Sequence, residues 1–243
     1  MRDYAVELEN RVQFIRKLLK ESGAKGVIFG NSGGKDSALV GILCKKATDN
    51  TVGVIMPCES ARNFGEDKDD GLDVAKQFGI ETRTVDLTDC KASVVNAVKD
   101  KTSLNNQALT NIAPRLRMIT LYAIGAAENL LVAGTGNRSE RYMGYFTKWG
   151  DGGCDFNPIS DLSVGEVYEF LEFLNAPENI IKKAPSAGLF EGQTDEAEMG
   201  VTYAAIDKYI DTGVATDHDK AIIDRYHRVS EHKRKMPALY GEE

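Results

Sequence analysis

Four short runs rich in β-formers, Gly26 to Gly30 (GVIFG), Thr51 to Met56 (TVGVIM), Thr82 to Leu87 (TRTVDL) and Leu130 to Ala133 (LLVA), are separated by helix-length stretches. Strand, helix, strand repeats predict βαβ units and a parallel sheet, which needs long crossovers rather than tight turns. The segments Asp3 to Glu21, Ser37 to Thr48, Glu66 to Phe78, Pro114 to Asn129 and Val164 to Leu174 read as helices. In the fourth, Leu116, Ile119, Ala123 and Ala126 recur at three- and four-residue steps and predict one buried face. After Gly150 the strand signal fades and Gly and Pro punctuate the chain, so this half is expected to lay loops and helices over the sheet's open edge. Within it, Ala184 to Met199 offers little to bury and is the best candidate for a mobile lid. No repeat or composition break divides the sequence, and residues 1–243 read as a single α/β domain, a doubly wound parallel sheet with flanking helices.

Charge and composition narrow the function. With 30 Lys+Arg against 37 Asp+Glu, the net charge of −7 disfavours broad neutralisation of nucleic-acid phosphates. No stretch approaches the roughly 20 apolar residues that cross a bilayer, and the N-terminus is charged rather than signal-like. The chain is therefore expected to be cytoplasmic, with neither nucleic acid nor membrane as partner. Cys44, Cys58, Cys90 and Cys154 lie far apart, and His218, His227 and His232 cluster near the C-terminus, so neither a disulfide framework nor a zinc site is visible. A length of 243 residues holds one catalytic core but not a second full catalytic domain, so a reagent needing its own generating enzyme is expected to come from outside.

Directly after the first strand comes Gly30-Asn31-Ser32-Gly33-Gly34-Lys35-Asp36-Ser37, and a helix follows. Strand, glycine-rich turn, helix aims free backbone N–H groups and a positive dipole end at an anion. The plainer reading is a tight turn that needs glycine dihedrals, with Asp36 or Ser37 capping the helix. It is not a Walker A loop, which would need glycine at Phe29 and Ser or Thr at Asp36. The fourth strand runs into Gly134-Thr135-Gly136-Asn137-Arg138-Ser139-Glu140, a partial dinucleotide fingerprint whose third glycine is Ser139. Glycines and charges at the carboxyl end of a strand are where an open α/β sheet builds its site.

The SGGKDS of Ser32 to Ser37 resembles the signature of the ATP pyrophosphatases, which split ATP between its α- and β-phosphates to adenylate a substrate. GTGNRSE at Gly134 to Glu140, GYFTKWGDGGCD at Gly144 to Asp155, the PIxxL of Pro158 to Leu162, PSAGL at Pro185 to Leu189, QTDE at Gln193 to Glu196 and HKRKMP at His232 to Pro237 narrow the resemblance to the ammonia-dependent NAD synthetases. These blocks occur in family order over nearly the whole chain. The resemblance implies a Rossmann-like fold of the ATP pyrophosphatase type, Mg²⁺ as cofactor, ATP as co-substrate, deamido-NAD and ammonia as substrates, and a homodimer. It also implies that Gly30, Asn31, Ser32, Gly33, Gly34, Lys35, Asp36 and Ser37 cradle ATP phosphates, with Thr135 and Ser186 as further ATP contacts. Asp36 and Glu140 become the Mg²⁺ ligands, and a hard cation between a carboxylate and a polyphosphate is what such a pairing needs. Arg115, Lys148, Asp155, His232 and Lys233 fall at positions that bind deamido-NAD. One departure is that the family's Lys after Leu-Thr in the PIxxL block is here Val164.

Arg115 has separate support. Pro114 is a natural first-turn residue, which puts Arg115 at the wrong end of a helix dipole and suggests an anionic ligand. Lys35 and Asp151 are the candidate catalytic groups: Lys35 to offset departing pyrophosphate, and Asp151 to bind ammonium and hold the free amine for attack on an adenylated carboxylate. The rivals are another adenylating enzyme of the same class, such as a GMP synthetase, a tRNA thiolase or a lysidine enzyme, and a regulatory module that holds ATP without turnover. A thiolase would want a paired reactive Cys and a basic surface, and the presence of both expected Mg²⁺ carboxylates argues against the module.

Overall fold

The structure is a computed structural model that describes residues 2–59, 64–183 and 195–241. The described residues form one sheet of parallel strands, β1 (Gly26–Gly30), β2 (Thr51–Ile55), β3 (Glu81–Thr84) and β4 (Leu130–Ala133), in the order β3-β2-β1-β4. Strand boundaries fall within a residue or two of those read from the sequence, except that regular pairing of β3 ends at Thr84. Beyond it Val85 N–H still donates to Ile55 O and Leu87 N–H to Pro57 O, each at 2.9 Å. Because the chain leaves β3 and returns on the far side of β1, the order of strands reverses between β1 and β4. Their carboxyl ends therefore open a crevice, the place where a doubly wound sheet binds ligands.

Helices cover both faces. On one lie α1 (Tyr4–Ser22), α2 (Lys35–Ala47), α3 (Glu66–Phe78) and, from later in the chain, α8 (Val164–Phe173) and α9 (Glu178–Lys182). Their Ile15, Leu39, Ile42, Val74, Phe170 and Ile180 pack with Val27 and Phe29 of β1. The Phe29 ring fits because glycines face it: a Cβ at Gly41 would lie 2.5 Å from it and one at Gly53 3.1 Å. On the other face are α4 (Thr88–Val98), which the sequence reading did not include, α5 (Asn106–Thr110) and α6 (Ile112–Glu128). There Ala113 and Leu121 of α6 pack on Ile28, Val52, Val54 and Val132.

The expected buried face of α6 is corrected. Ala113, Pro114, Leu121 and Gly125 are buried, whereas Ile119 is 56% exposed and Ala123 and Ala126 are exposed. The helix lies close to β4, where a Cβ at Gly125 would come 3.0 Å from Leu130 O, so Ala113, Leu121 and Gly125 meet the sheet, and of the expected stripe Leu116 packs half-buried against this cluster while Ile119, Ala123 and Ala126 face outward. The helix also begins at Ile112, two residues before Pro114, which leaves Arg115 still within its first turn.

The region after Gly150 opens with a loop over 151–163, where Phe156 bridges to Ala133, and its other described parts are mostly helices, α8 and α9, α10 (Asp195–Met199), α11 (Tyr203–Thr212), α12 (Asp217–Val229) and α13 (Glu231–Arg234). With α7 (Arg138–Met143) they build a third apolar cluster of Met143, Val164, Met199, Tyr203, Ile206 and Ile223 above the crevice. Polar ties fix it there: Ser139 donates to Asp207, and Arg138 pairs with Asp211 at 2.8 Å. At the other end buried Arg11 of α1 clamps the loop before α8, donating to Pro158 O at 2.5 Å and to both oxygens of Asp161 at 2.7 and 2.9 Å. Of the lid candidate, residues 184–194 lie outside the described residues, and the remainder is α10. Among the described residues no helix is long and apolar enough to cross a membrane.

Phe170 is fully buried at the centre of the first cluster. Phe170→Ala should lower stability by about 3–5 kcal/mol in urea unfolding.

Candidate active site

The loop after β1 is built by glycine and by its own serines. Gly33 has φ +69, and a Cβ there would lie 2.0 Å from Asp67 O, so only glycine lets the loop pass the N-terminal turn of α3. Ser37 Oγ donates to Gly34 O at 2.9 Å, Ser32 and Ser37 hydroxyls meet at 3.0 Å, and Gly34 N–H donates to Ser32 Oγ at 3.3 Å. Gly34 is the N-cap of α2 without a side-chain cap, which leaves that helix end open to an anion. Asn31 anchors the loop from behind, its N–H bonding Val54 O and its Nδ2 bonding Gly71 O of α3, each at 2.9 Å.

Across the crevice, the loop after β4 starts α7 with a capping box. Asn137 Oδ1 accepts from Glu140 N–H, and Glu140 Oε2 accepts from Asn137 N–H, both at 3.0 Å. The Asn137 amide also donates to Asp36 Oδ1 at 3.1 Å. One asparagine thus ties together the two carboxylates expected to hold a metal. Lys35 lies between them, buried, with Nζ 2.6 Å from Asp36 Oδ2. Burial alone would lower its pKa, but the attraction of Asp36 and Glu140 outweighs this and raises it. Burial, reinforced by the nearby Asp36, pushes the Glu140 carboxyl well above its ordinary range. Tyr168 and Tyr203 wall this core, each ring centroid 5.8 Å from Lys35 Nζ, and Tyr203 OH donates to the buried Asp195 at 3.0 Å.

Lys35, Asp36, Glu140 and Tyr168 among these line one cavity of about 1260 Å³. Of the residues singled out from the sequence, it brings together Gly30, Asn31, Ser32, Gly34, Lys35, Asp36, Ser37, Thr135, Glu140, Asp151, His232 and Lys233. Asp151 is open to water on one side yet enclosed by the walls of the cavity. That enclosure raises its carboxyl pKa, while its Oδ1 accepts from Thr147 N–H at 2.9 Å. Lys233 bonds Gly144 O at 2.8 Å and Phe146 O at 2.7 Å, and burial lowers its pKa.

Gly33, Arg115, Lys148 and Asp155 stand outside the lining. Asp155 is engaged by the fold, accepting from Tyr122 OH at 3.0 Å and Val132 N–H at 2.8 Å. Arg115 and Lys148 sit at the rim, where Arg115 Nη2 lies 3.4 Å from Lys148 O and Lys148 Nζ donates to His232 O at 2.7 Å. Ser186 lies outside the described residues. Val164 is buried in the third cluster and does not line the cavity.

Sequence reasoning missed Asn137, although Asn-x-x-Glu at Asn137 to Glu140 is itself a capping-box signal. It also missed Arg117, which turns into the cavity where Arg115 does not. Arg117 donates to Met56 O at 3.1 Å, and burial lowers its pKa.

A four-stranded parallel sheet flanked by helices, with a glycine-rich loop and a helix N-terminus opposed across its switch point, defines an α/β fold of the ATP pyrophosphatase type. The sequence model for NAD synthase matches residues 7–237, and the chain belongs to the NAD synthase family. It is 47% identical over 234 residues to an NH3-dependent NAD⁺ synthetase of Carboxydothermus hydrogenoformans, covering 95% of each chain. Among solved structures it is similar to NMN synthetase from Francisella tularensis, with TM-score 0.94, 35% identity and 99% and 100% of the two chains covered. It is also similar to the NH3-dependent NAD synthetase of Campylobacter jejuni, with TM-score 0.79, 31% identity and 98% and 99% covered.

Gly33→Ala should cost at least about 1–2 kcal/mol from the left-handed backbone alone. It should also weaken ATP binding, because α3 must move off the loop. Gly34→Ala, whose Cβ meets Ser32 Oγ at 3.3 Å, should be milder; urea unfolding and ATP titration of both variants check the order.

Proposed function

We propose that this chain couples cleavage of ATP to AMP and pyrophosphate with amidation of deamido-NAD by ammonia, forming NAD. The observation that carries the reading is the meeting, in one cavity, of the open N-terminus of α2, the Lys35–Asp36–Glu140 core and the enclosed carboxylate of Asp151.

A carboxylate is a poor electrophile, so the nicotinate must first be activated. Its oxygen attacks the α-phosphorus of ATP, and the bond to the β-phosphate oxygen breaks. Charge builds on pyrophosphate, facing the N–H groups of the loop and Lys35. The product is a mixed anhydride of nicotinate and AMP. Ammonia attacks its acyl carbon, AMP leaves, and the attacking nitrogen loses a proton. Asp151 is suited to bind ammonium and accept that proton, because enclosure moves its pKa upward, toward the working pH.

Mg²⁺ fits the donor set. Asp36 and Glu140 offer the hard oxygen ligands it prefers, and among the described residues no group of three or more His, Cys, Asp or Glu is arranged to hold a metal. Phosphate oxygens of ATP would complete the shell, and the ion would supply charge neutralisation at the polyphosphate. The exposed apolar residues Ile119 (56%) on α6 and Val94 (38%) on α4 support a homodimer that covers this face.

The likeness to an NMN synthetase favours a second reading, in which the acid amidated is the mononucleotide. Supplying deamido-NAD and nicotinate mononucleotide separately, with ATP and ammonium, decides by kcat/KM; the main reading requires the dinucleotide to win.

Pyrophosphate should appear only when both ATP and the acid are present, with ammonium required for continued turnover, and Asp36→Ala should abolish it. ATP cleavage by the wild type without the acid would contradict the reaction. Asp151→Asn should cut kcat/KM for ammonia by about 10²–10⁴-fold, measured at saturating ATP and acid.

A further inference from the structure

Beside the phosphate loop lies a buried ion cluster that the reaction above does not use. Lys183 directly follows α9, and its Nζ lies 2.8 Å from Asp67 Oδ1 and 2.5 Å from Asp70 Oδ2, both in the N-terminal part of α3. With the three side chains only 10–12% exposed, the cluster escapes the solvent screening that makes surface ion pairs weak. Burial would lower the pKa of Lys183, but the two carboxylates raise it. Its place is fixed from two sides. Lys183 O accepts from Tyr168 OH of α8 at 2.7 Å, and Asn179 Nδ2 of α9 donates to Asp70 Oδ1 at 2.6 Å. Lys183, Asp67 and Tyr168 all line the catalytic cavity.

The ammonium also reaches the loop itself, donating to Gly33 O at 3.4 Å. Across a planar trans peptide the carbonyl and the following N–H point in opposite directions. Holding Gly33 O on the α3 side therefore turns Gly34 N–H the other way. There it meets Ser32 Oγ at 3.3 Å, a long bond that an anion can replace. The cavity lining agrees, because Ser32 and Gly34 face the cavity and Gly33 does not. The first turn of α3 presses on the same peptide, with Asp67 O 2.0 Å from where a Gly33 Cβ would stand. That turn starts from Gly65, an N-cap with no side-chain hydrogen bond. Lys183 ties it to the end of α9, 116 and 113 residues away along the chain.

We propose that Lys183 is a positioning residue for ATP: by holding Gly33 O and the first turn of α3 together, it keeps the Gly33–Gly34 peptide turned so that its N–H faces the departing pyrophosphate. The proposal rests on the reading that this loop receives ATP phosphates. Lys183 acts through the loop and not by touching ATP.

Calorimetric titration of MgATP into the full chain, together with the Gly34 amide resonance in ¹⁵N-glycine-labelled protein, tests it. In the wild type that resonance should shift as ATP binds. Lys183→Met should raise the Kd and KM for ATP by about ten- to a hundredfold, leave KM for the acid unchanged and abolish the Gly34 shift. Lys183→Arg, which keeps a charged donor, should recover most of the affinity. Asp67→Asn keeps the ammonium but loosens α3, and it should also weaken ATP binding. A lysine that attracted ATP directly would bind it equally well or more tightly once released from a carboxylate, and that result would overturn the proposal. Lys183→Met strips a cation from two buried carboxylates. If circular dichroism shows it unfolded, the same variant combined with Asp67→Asn and Asp70→Asn, which removes those charges, is held to the same outcomes. A folded variant without Lys183 that binds ATP as the wild type does, or that keeps the Gly34 shift, would also overturn the inference while leaving the amidation reading intact. Failure of the wild type to bind MgATP would overturn both.

Discussion

A lysine held out of water between two carboxylates, at the gap between the ends of β1 and β4, is the constraint around which the rest of the molecule is arranged. The buried Lys35 ammonium is held by the attraction of Asp36 and Glu140, whereas burial and the neighbouring Asp36 both push the Glu140 carboxyl upward, so the three groups are coupled. The sheet order makes the gap, the loop after β1 delivers Lys35 and Asp36, and the capping box of α7 delivers Glu140. Asn137 joins the two halves, so the geometry of one carboxylate is not independent of the other.

Everything outside that core controls what reaches it. The third apolar cluster closes over the crevice and presents Tyr168, Tyr203 and Asp195 to the lysine. Excluding water there strengthens each charge interaction that the departing pyrophosphate will feel. Asp151, Lys233 and His232 continue the cavity from this core toward the rim, where Lys148, Trp149 and Arg115 meet solvent. A substrate lying along that path has its reactive end in the most enclosed part and its other end in the most open one.

The strands, the main helices of the sheet and the phosphate loop were legible in the sequence because their signals are local: β-rich runs, strand-to-helix spacing, and a glycine run that must turn tightly. What escaped depended on neighbours. The stripe of Leu116, Ile119, Ala123 and Ala126 is periodic, but periodicity marks an apolar face without saying what covers it: Leu116 packs half-buried, while close approach of α6 to β4 buries Ala113, Leu121 and Gly125 and leaves the other three outside. Arg115 and Arg117 are indistinguishable by composition; only the rotation of the helix sends one to the rim and the other into the cavity. Asp155 fell within a matching block, yet here the fold engages both its oxygens. Exposed Trp149 could not be told from a buried aromatic until its backbone and surroundings were known.

The central claim is that the substrate's carboxylate attacks the α-phosphorus of ATP in this gap, and isotopic labelling tests it most directly. With deamido-NAD carrying ¹⁸O in its nicotinate carboxylate, one labelled oxygen should appear in the AMP released with each turnover, and none in the pyrophosphate. Label found in inorganic phosphate or pyrophosphate, or AMP without label, would contradict the account.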